Sequence, residues 1–213
     1  MAQAVSPLNL VFDFGAVLLT WQPVALVAAA FPQQPDEGLA ALAQGLFGHP
    51  DWLGFDRGTV SMQAVIDRAS VRLGLDHAAL RALVQGIGEQ LLPMAPSLAL
   101  LAQWHQRRQN GQAVRLYYLS NMSPPFARTL ERKFEFLQWF DGGIFSGDVH
   151  LIKPEPAIYQ CLQNRHALEP SRTVFIDDVP ANVKTAQSLG WHGIHFESAK
   201  QVEETLHTFT TNQ

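Results

Sequence analysis

Residues 8–18 read Leu8-Asn9-Leu10-Val11-Phe12-Asp13-Phe14-Gly15-Ala16-Val17-Leu18, an apolar run closed by a single carboxylate. Such a run, bounded by a glycine, predicts a buried strand ending at Phe12. A carboxylate at the end of a buried strand is costly unless it binds something. Asp13 is therefore the first candidate functional residue.

Similar short runs rich in Val, Ile, Phe and Tyr recur at Val114–Leu119, Gly143–Phe145, Thr173–Ile176 and Gly193–Phe196. Helix-length segments lie between most of them. Ser97 is placed to cap a helix carrying Leu98, Leu101 and Ala102 and closing at Gly111, and Pro180 suits the first turn of a helix that stops at Gly190. Ser198 followed by Gln201 resembles a capping box, with Val202, Leu206 and Phe209 on one apolar stripe. Strands alternating with helices predict an α/β fold, a Rossmann-like parallel sheet flanked by helices on both faces.

The stretch 21–93 breaks the alternation, because it offers helical patterns and no convincing strand. Val65, Ile66, Ala69 and Leu73 fall at helical spacing before Gly74, and Asp76 can cap a helix that turns Leu80, Leu83, Val84, Ile87 and Leu91 inward. Gly86 and Gly88 are weak helix formers within it. The expected organisation is a core domain of residues 1–20 and 94–213, with residues 21–93 inserted as a small α-helical cap.

Composition narrows the function. A chain of 213 residues, 47% hydrophobic and 16% charged, has enough material for one sizeable core. With Lys and Arg totalling 15 against 19 acids, and a net charge of −4, no field favours a polyanion, so no nucleic-acid partner is expected. Arg107-Arg108 reads as an exposed helix end. No apolar run is long enough to span a membrane, and the opening Met1-Ala2-Gln3-Ala4-Val5-Ser6-Pro7 lacks the regions of a secretory signal. Cys161 is the single cysteine and cannot form an internal disulfide, which favours a reducing, cytoplasmic setting. The eight histidines show no metal-binding spacing.

Four segments carry the chemistry, each at the carboxyl end of a predicted strand, where open α/β sheets bind ligands. They are Asp13; Ser120-Asn121; Lys153-Pro154-Glu155-Pro156; and Asp177-Asp178, with Asn182 about one helical turn on. This set suits phosphoryl transfer. Carboxylates from different strands can hold a hard, oxygen-preferring Mg²⁺, and Lys153 and Ser120 can neutralise and hydrogen-bond phosphate oxygens. One carboxylate then remains to attack phosphorus, forming an aspartyl-phosphate that water hydrolyses. Asp13-Phe14-Gly15 also matches a protein-kinase metal triplet, but no glycine-rich loop or strand lysine precedes it.

In this order the four segments resemble motifs one to four of the haloacid dehalogenase-like hydrolase superfamily, and the likeness extends to the position of the helical cap. The resemblance implies that Asp13 is the nucleophile, that Ser120, Asn121 and Lys153 bind the phosphate, and that Asp178 binds Mg²⁺ with Asp177 and Asn182 in support. The Gly15 carbonyl would be a further metal ligand. It also implies that the turn Phe55-Asp56-Arg57-Gly58 faces the site, where Arg57 can contact substrate or pair locally with Asp51 or Asp56. Trp21 and Trp52 are candidate pocket walls, with packing as the alternative.

One position departs from the pattern. Phosphatases of the superfamily commonly carry a second Asp two residues after the nucleophile, as general acid–base; here that residue is Gly15. Losing such a group costs roughly 10²–10⁴-fold in rate. Substrates with good leaving groups, a cap residue or water standing in, or loss of activity are the possible consequences. Phe12-Asp13-Phe14-Gly15 followed by Val17-Leu18 resembles a subgroup that contains sugar-phosphate phosphatases. The expectation is a Mg²⁺-dependent phosphatase of a small phosphate ester, possible sugar phosphates included. The alternatives are a haloacid dehalogenase, against which Asp177-Asp178 and Gly15 argue, and a regulatory protein without turnover.

Overall fold

The computed structural model describes residues 6–210, so the first five positions of the opening segment read for a signal lie outside the described residues. Among the described residues, five strands form one parallel sheet: β1 (Leu8–Phe12), β2 (Val114–Ser120), β3 (Gly142–Phe145), β4 (Thr173–Asp177) and β5 (His192–His195). Their order is β3-β2-β1-β4-β5. The α/β reading with a parallel sheet holds. Strand ends differ from the sequence expectation: β2 and β4 continue through Ser120 and Asp177, and β5 begins at His192 and stops before Phe196.

The strands alternate between two cores, as the period of two requires. Leu10, Phe12, Leu116, Val174 and Ile176 face one core, while Val11, Tyr117, Leu119 and Phe175 face the other. Helices α9 (Pro156–His166) and α10 (Pro180–Ser188) cover the second core with Ile158, Tyr159, Leu162 and Ala186. The first is covered in part by α6 (Ala95–Gln109) and α11 (Ala199–Thr210), through Leu101, Trp104, Val202 and Leu206.

Between β1 and α6 lie α1 (Pro23–Ala30), α2 (Asp36–Phe47), α3 (Pro50–Asp56), α4 (Met62–Leu73) and α5 (His77–Gln90), with no named strand among them. The chain enters and leaves this helical insertion side by side. Thr20 N–H donates to the Leu92 carbonyl at 2.8 Å, and Met94 N–H to the Leu18 carbonyl at 2.9 Å. Asp76 caps α5, accepting from Ala79 N–H at 2.8 Å, and Ser198 accepts from Gln201 N–H at 3.2 Å. Gly74 closes α4 at φ 63°.

Ser97 is not the cap expected of it. Helix α6 begins two residues earlier, at Ala95 after Met94, because Pro96 fits the first turn and leaves Ser97 buried inside the helix. The glycine at position 88 has a packing reason: a Cβ there would meet Phe126 and Thr129 at 3.3 Å, on α7 (Pro124–Lys133). A short helix, α8 (Ser146–Val149), follows β3. The central strand β1 pairs with β2 on one side and β4 on the other, so its carboxyl end is where the sheet's winding reverses.

Candidate active site

Asp13 N–H donates to the Ile176 carbonyl at 3.0 Å, extending the β1–β4 ladder by one bond and presenting the side chain at the sheet's edge. A tight loop follows. The amides of Leu18 and Leu19 converge on the Phe14 carbonyl at 2.9 and 2.7 Å, and Ala16 takes the left-handed conformation at φ 55°. Phe14 N–H returns to Asp13 Oδ1 at 2.7 Å.

Lys153 does not close a strand as expected: α8 intervenes, and the lysine comes from the segment that follows it, eight residues past Phe145, where it is almost wholly buried. Its Nζ sits 2.9 Å from Asp13 Oδ1 and 2.6 Å from Asp177 Oδ2. Asn121 orients the lysine backbone: its Oδ1 accepts from Lys153 N–H at 2.8 Å, and its Nδ2 donates to the Lys153 carbonyl at 3.0 Å. Ser120, at the end of β2, is buried and lines the same cavity.

Asp177 is fully buried and both its oxygens are engaged. Besides Lys153, it accepts from Val179 N–H at 2.8 Å and from Asn182 Nδ2 at 3.0 and 3.1 Å. Asp178 lines the cavity more openly. Oxygens of Asp13, Asp177 and Asp178 lie within 4.8 Å of one another.

Burial drives the Asp13 carboxyl above the usual range, the Lys153 ammonium opposes this, and Asp177 adds to the rise. Lys153 shows the converse. Burial alone would lower it, but Asp13 and Asp177 together hold it above the ordinary lysine value. Three formal negative charges against one positive leave −2 at a cluster whose Asp13, Asp177 and Lys153 are buried. Such a deficit, presented by oxygen donors alone, fits a hard divalent cation.

Above these groups is a cavity of about 210 Å³. Trp21 and Trp52 both line it, together with Leu19, Phe47, Ile87, Leu91, Met122 and Phe126. Gly15 and Asn182 also border it. Arg57 does not. Its guanidinium forks onto Glu155, Nη1 to Oε2 at 2.8 Å and Nη2 to Oε1 at 2.5 Å, rather than pairing with Asp51 or Asp56. Asp51 instead takes Arg68, at 2.8 Å.

Sequence reasoning named Asp56 only as a local partner for Arg57 and passed over its own place in the cavity, which it lines from the end of α3, together with most of the apolar wall. The signal for Asp56 was its place in the turn Phe55-Asp56-Arg57-Gly58, which the resemblance set facing the site. The apolar wall gave none, because core residues and cavity residues share the same helical spacing.

A model of haloacid dehalogenase-like hydrolases matches residues 10–190. The chain belongs to the haloacid dehalogenase-like hydrolase family. It is a hydrolase of that family, and it is 27% identical over 186 residues to the sesquiterpene phosphatase astK of Aspergillus oryzae, covering 87% of each chain. In fold it is similar to a HAD family enzyme from Bacteroides thetaiotaomicron solved with magnesium and inorganic phosphate, with a TM-score of 0.68 and 21% identity over 89% of this chain and 94% of that one. It is also similar to the L-2-haloacid dehalogenase of Xanthobacter autotrophicus, with a TM-score of 0.64 and 18% identity over 88% and 76% of the two chains. The family fold thus serves both phosphate and halide chemistry in these relatives, and the carboxylate cluster is what this chain offers for choosing between them.

Proposed function

We propose that the protein is a Mg²⁺-dependent phosphatase acting on a small phosphate monoester with an apolar body, with Asp13 as nucleophile and the inserted helices as a cap. The observation that carries this reading is the Asp13-Asp177-Asp178 cluster, balanced only by Lys153, at the floor of an apolar cavity.

Asp13 and Asp178 would hold the metal, with the Gly15 carbonyl beside them. Asp177, whose oxygens are already occupied by Lys153, Asn182 and Val179, holds the lysine in place. Bound Mg²⁺ supplies charge neutralisation for the phosphoryl oxygens. Ser120, the Asn121 side chain and Lys153 bind and orient the phosphate. An Asp13 oxygen attacks phosphorus as the ester P–O bond breaks, and the alcohol departs. Water then attacks the aspartyl-phosphate, freeing inorganic phosphate and restoring Asp13.

The wall supports the substrate class. A sugar placed there would set its hydroxyls against Leu19, Phe47, Ile87, Leu91 and Phe126, trading water for groups that cannot hydrogen-bond. An alkyl or prenyl chain gains from the same surface. The relative named a sesquiterpene phosphatase supports the same direction.

The test is phosphate release from prenyl and alkyl phosphates and from sugar phosphates, with Mg²⁺ and with chelator, for wild type and Asp13→Asn. Burying two extra methylenes at ~0.8 kcal/mol each exceeds the ~1.4 kcal/mol that makes a factor of ten, so kcat/KM for apolar esters should lead by at least about tenfold. Preference for the sugar esters would overturn the substrate class, and absence of release from all of them would overturn the phosphatase reading.

A further inference from the structure

Cleaving the phosphate ester of an ordinary alcohol requires a proton at the departing oxygen, and the second step requires a base to take one from water. The floor of the cavity has no group free for either task. Asp13 is the nucleophile. Lys153 is shared between Asp13 and Asp177 at 2.9 and 2.6 Å, and those carboxylates keep its proton on it. Asp177 has both oxygens bonded, and Asp178 belongs to the carboxylate cluster. Two residues past Asp13 stands Gly15, which has no side chain to offer.

One further carboxyl lines the cavity, on the wall contributed by the inserted helices. We propose that Asp56 is the general acid–base residue of this site, an assignment that rests on the phosphatase reading above. In the first step an Asp13 oxygen bonds to phosphorus and the ester P–O bond breaks while the Asp56 carboxylic acid gives its proton to the leaving oxygen, leaving an alcohol, the Asp13 aspartyl-phosphate and an Asp56 carboxylate. In the second, that carboxylate takes a proton from water while the water oxygen bonds to phosphorus and the P–O bond to Asp13 breaks. Both Asp56 and Asp13 return to their starting forms.

Several contacts hold Asp56 at its station. Ser146 Oγ donates to its backbone carbonyl at 2.6 Å. The next residue, Arg57, is forked onto Glu155, and its carbonyl lies 3.1 Å from His150 Nδ1. Gly58 is pressed against Gly147, where a Cβ would come within 2.5 Å of the carbonyl oxygen. These contacts tie the end of α3 to the segment that carries Lys153, so the two walls of the cavity are held in register.

The chemistry of the position agrees. Burial raises the Asp56 carboxyl to about 7, against a hydrogen bond from Trp52 that lowers it. Charged neighbours are otherwise committed: Arg57 to Glu155, and Asp51 on the same helix to Arg68. His150 faces the turn's backbone, and Asp13, Lys153 and Asp178 share the cavity. A carboxyl of this kind can serve as acid and then as base near neutral pH.

The test compares wild type with Asp56→Asn on an alkyl phosphate, whose alcohol must be protonated, and on para-nitrophenyl phosphate, whose leaving group departs without help. For the alkyl ester kcat/KM should fall about 10²–10⁴-fold, and for the nitrophenyl ester less than about tenfold. The variant should also release nitrophenol in a burst of one equivalent, as the Asp13 aspartyl-phosphate accumulates for want of a base. A second variant adds Gly15→Asp to Asp56→Asn: a Cβ at Gly15 meets nothing nearer than Trp21 at 3.8 Å, so a side chain can start there without a clash, and the added carboxyl should restore part of the alkyl activity. Equal losses on both esters without a burst, or no loss at all, would overturn the assignment. A wild type inert on both esters would instead overturn the phosphatase reading, and this role with it.

Discussion

Gly58 and Gly147, 89 residues apart in sequence (147 − 58), meet so closely that a Cβ on Gly58 would lie 2.5 Å from the Gly147 carbonyl oxygen. Gly58 also holds φ at +77°, which disfavours any L side chain. A left-handed conformation costs a non-glycine residue about 1–2 kcal/mol, and the clash adds about 1–3 kcal/mol. Gly58→Ala should therefore lose at least about 2 kcal/mol, and Tm should drop by about 4–8 °C at about 2–4 °C per kcal/mol. A calorimetric scan checks this, and an unchanged Tm would mean that the contact yields cheaply.

The Arg57–Glu155 fork makes a different prediction. Both side chains are partly exposed, at 28% and 42%, so their coupling in a double-mutant cycle of Arg57→Ala and Glu155→Gln should be about 0.2–1 kcal/mol. Acting as a tie between walls, the pair should move KM by the same factor whichever partner is removed. A rise in KM on Arg57→Ala alone would make Arg57 a direct substrate contact.

Lys153→Met leaves the carboxylates of Asp13, Asp177 and Asp178 without their ammonium. Removing one partner of a buried ion pair costs about 3–5 kcal/mol. The variant should melt well below wild type in chelator, and Mg²⁺ should raise its Tm by more than it raises that of wild type. Equal metal-induced shifts in the two proteins would argue against a cation at this cluster.

Stability should also respond to pH through Asp56. Its carboxyl titrates at about 7 in the folded chain against an ordinary 3.8, so between those values the folded state holds a proton that the unfolded chain has released. The contribution is complete below the lower value and is lost as pH rises through the upper one. Urea midpoints at about pH 5 and about pH 8 should show Asp56→Asn gaining stability relative to wild type as pH rises. A difference that does not change with pH would place the folded-state titration elsewhere.

The local patterns of the chain were legible to different depths. Short apolar runs in β1, β2 and β4 placed the strands to within a residue or two, because a parallel strand covered on both faces is apolar along most of its length. Asp76 and Ser198 were readable as caps because the donor each satisfies lies three residues on. Ser97 misled, since a serine near a helix start reads as a cap while Pro96 had already opened the first turn. No helix of the described residues is long and apolar enough to cross a membrane.

Sequence alone specified the parallel α/β fold, the helical stretch between the first strand and the rest, and the placing of Asp13, Ser120 and Asp177-Asp178 at strand ends, with Lys153 between them in chain order. Each of these follows from short-range periodicity or from the rule that chain order carries strand ends to one edge of a parallel sheet. Tertiary structure alone decided that Asp177 spends its oxygens on Lys153, Asn182 and Val179, and that Arg57 turns to Glu155. It also decided that Asp56 shares a cavity with Asp13 beneath an apolar wall. Apart from the bonds of Asp177 to Val179 and Asn182 just beyond it, those relationships join residues tens of positions apart, and side-chain distances across such gaps are set by how the helices pack on the sheet, which no local spacing encodes.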